Sequence, residues 1–422
     1  MIHRRHFLKI SLISGVSVMG FPKIYENSFL GKSEVNGSIY RLTRDIPIKF
    51  FNGKSCFVHP RAGIIPGAGK EGMPRIFLTM NTLDLSGSDV FKAMYGLYSD
   101  DFGKTWTTPK EIEALNYHYE LLDGSEYPVA VGDFWPSYNR STGALLGIGH
   151  SVMYTKDWKV MKSSPRNTTY STYDPQKNQW AAWQSLIMPD NPKFFNSGAG
   201  SVQRYDESNG SILLPMYFND PSIKGNRYST TVMRCQFDGK TLRYVENGSE
   251  LTVNSERGLV EPSLMKYGDR FFLTMRNDYH GYVATGNDGL HFNDPIKWTF
   301  DDGSDLGNYN TQQHWVSHSD GLFLVYTRRG ANNNHVFRHR APLFMAQVDT
   351  ERLCIIRSTE EILVPEAGAR LGNFGVTDIN QEETWVTVSE WMQPEGVEKY
   401  GSDGKVWVAR IHWNNPNLNF EG

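Results

Sequence analysis

Six pairs of short apolar segments, repeated along the chain, predict an all-β fold built as a single β-propeller. Three observations carry this expectation. The segments recur with turn signals between them. No amphipathic helical stretch separates them. One hairpin carries a complete S-x-D-x-G-x-T-W turn at Ser99–Trp106.

In chain order the pairs are 74–81 with 94–98, 144–151 with 169–173, 211–218 with 229–237, 270–276 with 281–285, 322–327 with 342–348, and 384–390 with 406–412. Asp-Gly dipeptides at 238–239, 288–289 and 320–321 fall between segments, where tight turns require them. The Ser99–Trp106 turn is an Asp-box of the sialidase type. Its Asp101 side chain is expected to satisfy backbone N–H groups while Trp106 packs between strands. Residues 285–292 form a degenerate copy. Such turns report on fold, so Asp101 is not a catalytic candidate. A strand-like start at 39–51 is expected to pair with 406–413 and complete a seventh blade, with six blades as the alternative. Closing the ring with strands from both ends removes free sheet edges. The Pro/Gly-rich stretch 60–73 reads as a loop within one domain covering 23–422. Two β-sandwich domains are the competing architecture.

Composition narrows the class further. Aromatic residues make up 13% of the 422 positions, with 11 Trp and 21 Tyr, which suits a strand-and-turn protein with aromatic sugar platforms. The net charge of −3 supplies no global basic field, which argues against nucleic acid as a partner. Cys56, Cys235 and Cys354 are far apart and form no CxxC pair, so buried free thiols are expected. Residues 1–22 read as an export signal: His3-Arg4-Arg5-His6-Phe7-Leu8-Lys9 precedes a short apolar run and resembles a twin-arginine signal. The expectation is an exported protein, periplasmic or secreted, monomeric and without a membrane span.

Several strands carry residues that a packed strand does not need. His150 ends the Gly-Ile-Gly run, Tyr217 lies in Leu-Leu-Pro-Met-Tyr-Phe, and Arg234 interrupts the apolar Val-Met-Arg-Cys. Arg within an apolar strand is costly unless it is paired or faces a site. Arg276 repeats the pattern one module later and is followed by Tyr279 and His280. His59 and Arg61 flank a proline in Phe57–Gly63. Core packing competes with function at each position alone. Together they put cations and proton carriers at strand ends of consecutive modules, a set suited to an acidic sugar. Removing the proton α to a uronate carboxylate builds charge beside an existing anion, which a guanidinium stabilises. A phenol serves as the base only where a nearby cation favours the phenolate.

The His150, Tyr217 and Arg234 order resembles the catalytic set of the seven-bladed propeller ulvan lyases, polysaccharide lyase families 24 and 25. The resemblance extends to Asn310–Trp315 and Arg338–Phe344. It implies β-elimination on an acidic polysaccharide, with Tyr217 as base and acid, His150 neutralising the carboxylate or assisting, and Arg234 neutralising charge. Arg276, Tyr279, His280, His59 and Arg61 would bind substrate. No cofactor is required by that chemistry. Metal ligands are unassigned, with room for a structural calcium or zinc ion, and His314 and His318 are the nearest pair. A related propeller family of α-L-rhamnosidases uses one His on the opposite face, a part His59 would play. Glu261 with Arg276 resembles the sialidase Glu and second Arg, although no third Arg followed by a Tyr is evident. A non-catalytic glycan-binding propeller is the remaining alternative.

Overall fold

The computed structural model describes residues 39–420, apart from 88, 163, 224 and 226. The export-signal stretch 1–22 lies outside the described residues. Apolar runs that alternate on both faces make strands buried on two sides, and stacking such sheets around an axis covers every face. In the third blade, Ile212, Leu214, Met216 and Phe218 pack on the second blade, whereas Leu213 packs toward the fourth. The other blade interfaces repeat this scheme. Phe57, Leu78, Trp385 and Val408 join the first blade to the last, and Phe272, Trp298, Trp315 and Phe344 join the fourth to the fifth.

The described residues form six antiparallel blades, so the expected seventh is absent among them. Tyr40–Lys49 does pair with Lys405–Trp413, as the sequence indicates. That pairing adds an outer strand to the sixth blade, which already holds Glu383–Ser389 and Gly375–Asn380. The ring is closed by a blade shared between both ends of the chain. The Asp-box sits on the outer edge of this closure. Asp101 accepts from Thr105 N at 2.9 Å and Thr105 Oγ1 at 2.6 Å, and Trp106 packs against Trp385 of the sixth blade. All three cysteines are buried and free.

The inner strand or inner edge of each blade reaches one non-glycine residue with positive φ: His59 (55°), Asp133 (53°), Ser201 (53°), Glu261 (47°), Asn310 (55°) and Asn373 (64°). For His59, Asp133 and Glu261 the cause is a β-bulge, where the strand register shifts. Left-handed backbone at such residues costs on the order of 1–3 kcal/mol each and concentrates at functional sites. Below this ring the axis is plugged by Trp135, His314 and Phe374, whose rings meet edge to face, and by Arg61 stacked over Trp135. A separate cavity of ≈ 990 Å³ opens at the opposite mouth, beyond the plug. Among the described residues, no helix is long and apolar enough to cross a membrane.

Candidate functional site

Four of the six ring residues meet at one carboxylate, that of Asp133, to which Asn373 Nδ2 donates at 3.5 Å. Asp133 Oδ1 accepts from Ser201 Oγ at 2.6 Å and lies 3.4 Å from His59 Nδ1, while Oδ2 lies 3.8 Å from His150 Nε2. Asn373 Nδ2 donates to His59 Nε2, which places the His59 proton on Nδ1, facing Asp133. On its far side His150 presents Nδ1 to the Tyr217 hydroxyl at 3.2 Å. Arg166 Nη1 donates to the same hydroxyl at 3.4 Å. The result is a connected line: Asp133, His150, Tyr217 and Arg166.

Close backbone approach makes this line possible. A Cβ on Gly200 would lie 1.9 Å from His150 Nδ1, so only glycine leaves room for the imidazole. The electrostatics follow from burial. Desolvation, aided by Arg166 and opposed by Asp133, pulls the His150 pKa down to about 3, so the ring is neutral at neutral pH. Burial lowers His59 as well. Burial pushes the Asp133 carboxyl up, but the two imidazoles, the Ser201 hydroxyl and Arg61 outweigh it and hold it below its ordinary range. Burial raises the Tyr217 phenol well above its ordinary value, with Arg166 opposing. The resting state is a protonated phenol donating to a neutral imidazole.

A second group of side chains provides positive charge. Arg276 Nη1 donates to both oxygens of Glu261, at 2.6 and 2.8 Å, and its Nη2 reaches Asn310 Oδ1 at 3.0 Å. Arg340 is 4% exposed and its guanidinium donates only to the carbonyl and side-chain oxygens of Asn310. Arg370 is 6% exposed, bonds Gln393 and stacks on Trp391. Among the described residues, neither has a carboxylate partner. Burial, with Arg276, Arg370 and Arg338 nearby, drives the Arg340 pKa well down, and burial lowers Arg370 to about 10. Two buried guanidiniums with neutral partners leave positive charge uncompensated in the interior.

His150, Tyr217, His59 and Arg276 all reach this face. The family resemblances set His59 and His150 on opposite faces, whereas in the structure both face the same Asp133 carboxylate. Arg234 is displaced from its expected place. Tyr217 pairs with Thr230, and Arg234 pairs with Leu213 four residues further along, about 13 Å away at strand spacing. Its charge is met by Glu207 and Glu246, which explains how an Arg survives in that strand. Arg166 takes the place beside the phenol. Arg61 is fully buried in the plug, where it donates to Asn373 O and to Ser201 Oγ at 3.1 Å, so it supports the ring from below instead of meeting a substrate. Tyr279 is exposed on the rim and donates to Glu256 at 3.0 Å, and His280 lies 3.5 Å from Asp305.

Asp133 was legible in principle, because Val-Gly-Asp-Phe-Trp places a charge in an apolar run just as Val-Met-Arg-Cys does. Arg166, in a Ser-Pro-Arg-Asn loop, offered no such signal. His314 bonds Ser263 Oγ at 2.7 Å within the plug, and His318 bonds Asn415 O at 3.1 Å, so each already has a structural partner. Among the described residues, no group of three or more His, Cys, Asp and Glu side chains is arranged to hold a metal ion.

The fold is a six-bladed β-propeller, the architecture also seen in solved sialidases. The sialidase of Trypanosoma rangeli superimposes with a TM-score of 0.54 at 15% identity, covering 92% of this chain and 58% of that one. The NanB sialidase of Streptococcus pneumoniae superimposes with a TM-score of 0.57 at 11% identity, covering 89% of this chain and 71% of that one. At such identities the likeness shows the fold alone, and the chain spans little more than half the length of the Trypanosoma protein. No protein-family model matches the sequence. The virulence-associated V antigen of Yersinia pestis is 28% identical over 136 residues, covering 32% of this chain and 41% of that protein. A match of that extent carries no family.

Proposed function

We propose that this protein is an exported enzyme that cleaves uronic-acid-containing polysaccharide by β-elimination. The observation that carries the reading is the Tyr217 hydroxyl held between His150 Nδ1 and Arg166, in a protein whose buried Arg340 and Arg370 guanidiniums have neutral partners. Arg340 and Arg370, with Arg276 alongside, receive the uronate carboxylate and stabilise the charge that grows on it as the C5 proton leaves. The phenol proton passes to His150 Nδ1, and Asp133 offsets the imidazolium that forms. Arg166 stabilises the phenolate. The phenolate takes the C5 proton, the C4–O bond breaks with formation of the C4–C5 double bond, and the reprotonated phenol supplies the proton to the departing oxygen. His150 then returns its proton to the site.

A hydrolase of the sialidase type is the second reading, favoured by the six blades and by the Arg276–Glu261 pair. In that case Tyr217 would attack the substrate instead of abstracting a proton. The α-L-rhamnosidase reading rests on His59, which faces the same Asp133. One experiment separates all three: incubation with ulvan, with a sialoside and with rhamnose-capped glucuronan oligosaccharides, followed by product analysis. Rising ultraviolet absorbance from unsaturated uronate on ulvan supports elimination. Release of free sialic acid or free rhamnose with no absorbance change replaces it with the corresponding hydrolase.

A further inference from the structure

The second blade begins with a hairpin, His118–Leu122 paired with the start of Ser125–Asn139. Gly132 of the longer strand pairs with His150, so the hairpin rises from the face that holds the candidate site. Residues 117, 119 and 121 share one side of this edge strand by its two-residue period. All three side chains are exposed: Tyr117 at 39%, Tyr119 at 59% and Leu121 at 74%. Beside them the loop Thr155–Lys162 holds Trp158 in left-handed backbone and presents Lys156, Lys159 and Lys162 to solvent.

Ring packing and one hydrogen bond link the site to this rim through the interior. His59 packs on Phe91 with ring centres 4.7 Å apart, and the Phe91 N–H donates to the Tyr154 hydroxyl at 3.1 Å. Tyr154 packs on Trp158 at 5.2 Å, Trp158 on Tyr117 at 4.9 Å, and Tyr117 on Tyr119 at 6.0 Å. The inner rings are buried and the outer ones exposed. Lysine charge accompanies the outer rings. Lys92 lies over Trp158, while Lys159 pairs with Asp157 and Lys92 with Asp84. Glu120 is engaged by His118, and Asp123 and Glu126 lie at the hairpin tip.

We propose that Tyr117, Tyr119 and Trp158, with Lys156 and Lys162, form an outer subsite for the continuing chain of an anionic polysaccharide whose reacting unit occupies the central site. This deepens the proposed function and rests on it. Flat, rigid aromatic faces supply contact area at low entropic cost, which suits sugar rings, and lysines suit their carboxylates or sulfates. The face shared with the Asp133 site and the sign of the loop charge select this occupant. The track runs over the loop and the base of the hairpin, short of the acidic tip. It makes the enzyme favour long chains.

The test is calorimetric titration of the full chain with ulvan oligosaccharides of increasing length, for the wild type, Tyr119→Ala and the double variant Lys156→Gln/Lys162→Gln. The substituted side chains are exposed, so folding is retained. The expected result is wild-type affinity that rises with length, and a loss of about tenfold for long oligosaccharides in each variant, with unchanged affinity for the shortest one that binds. Equal affinity for short and long oligosaccharides overturns the outer subsite while leaving the central site standing. Binding of none at any length overturns both. Concentration-dependent dimerisation of the wild type that Tyr119→Ala abolishes, with no length dependence, assigns the patch to a second copy of this chain instead.

Discussion

The Tyr217 hydroxyl stands 3.2 Å from His150 Nδ1, and this contact couples a reluctant acid to a reluctant base. Burial raises the phenol pKa and lowers that of the imidazole to about 3. Proton transfer between them is therefore uphill in the resting site, with Arg166 and Asp133 already in place.

Tyr217→Phe keeps the ring and its packing against Tyr228 while deleting the hydroxyl. Turnover is expected to fall by roughly 10²–10⁴-fold, with oligosaccharide affinity largely retained. Steady-state kinetics and calorimetry on the same variant check it. Full activity would remove Tyr217 from the mechanism.

Arg166 and Arg234 should separate cleanly. Arg166→Gln is expected to depress kcat, because the phenolate loses its neighbouring cation. Arg234→Ala should leave kinetics unchanged and lower stability by no more than about 1 kcal/mol, as for a partly exposed ion pair. Urea denaturation and kinetics on both variants decide the matter. An inactive but folded Arg234→Ala would restore Arg234 to the site.

Gly200→Ala tests positioning. The added methyl would collide with His150 Nδ1, so the imidazole must move from Tyr217. The expected outcome is a fall in kcat close to that of Tyr217→Phe with KM little changed, and a shifted pH–rate profile. A variant with wild-type kinetics would show that the His150–Tyr217 contact is dispensable.

Arg340→Gln should move stability and binding in opposite directions. Removing a buried charge that has only neutral partners is expected to raise the melting temperature of the ligand-free protein. The same change should weaken uronate oligosaccharide binding by about tenfold or more. Thermal melts with and without oligosaccharide read both effects. A destabilised variant with unchanged affinity would make Arg340 a structural residue.

Acid should unfold the protein early. His59, His150 and His314 have folded pKa values lowered by burial, so below pH about 6.5 the unfolded chain takes up protons that the folded state refuses. Stability is full above that pH and falls as it drops toward the folded values, about 3 for His150. Each imidazole contributes a slope approaching about 1.4 kcal/mol per pH unit. Urea midpoints measured from pH 8 downward, at roughly unit steps, would show the decline. A flat profile to pH about 4 would mean that these rings are protonated in the folded state.

Local pattern determined a large part of this protein. The strand pairs, their turns and the Asp-box are short-range signals, since alternation and turn chemistry act over a few residues, and they suffice for a propeller with His150, Tyr217 and Arg276 on its strands. Register and ring closure are long-range. Only the tertiary structure decided that Tyr40–Lys49 joins the sixth blade, that Arg234 lies four residues along the strand from Tyr217's level among glutamates, and that Arg166 approaches the phenol from a loop 51 residues earlier in the chain. It also decided that His59 and His150, 91 positions apart, face one carboxylate. Closing a ring of six blades converts distance along the chain into proximity at the axis, and no pattern within a single strand encodes that conversion.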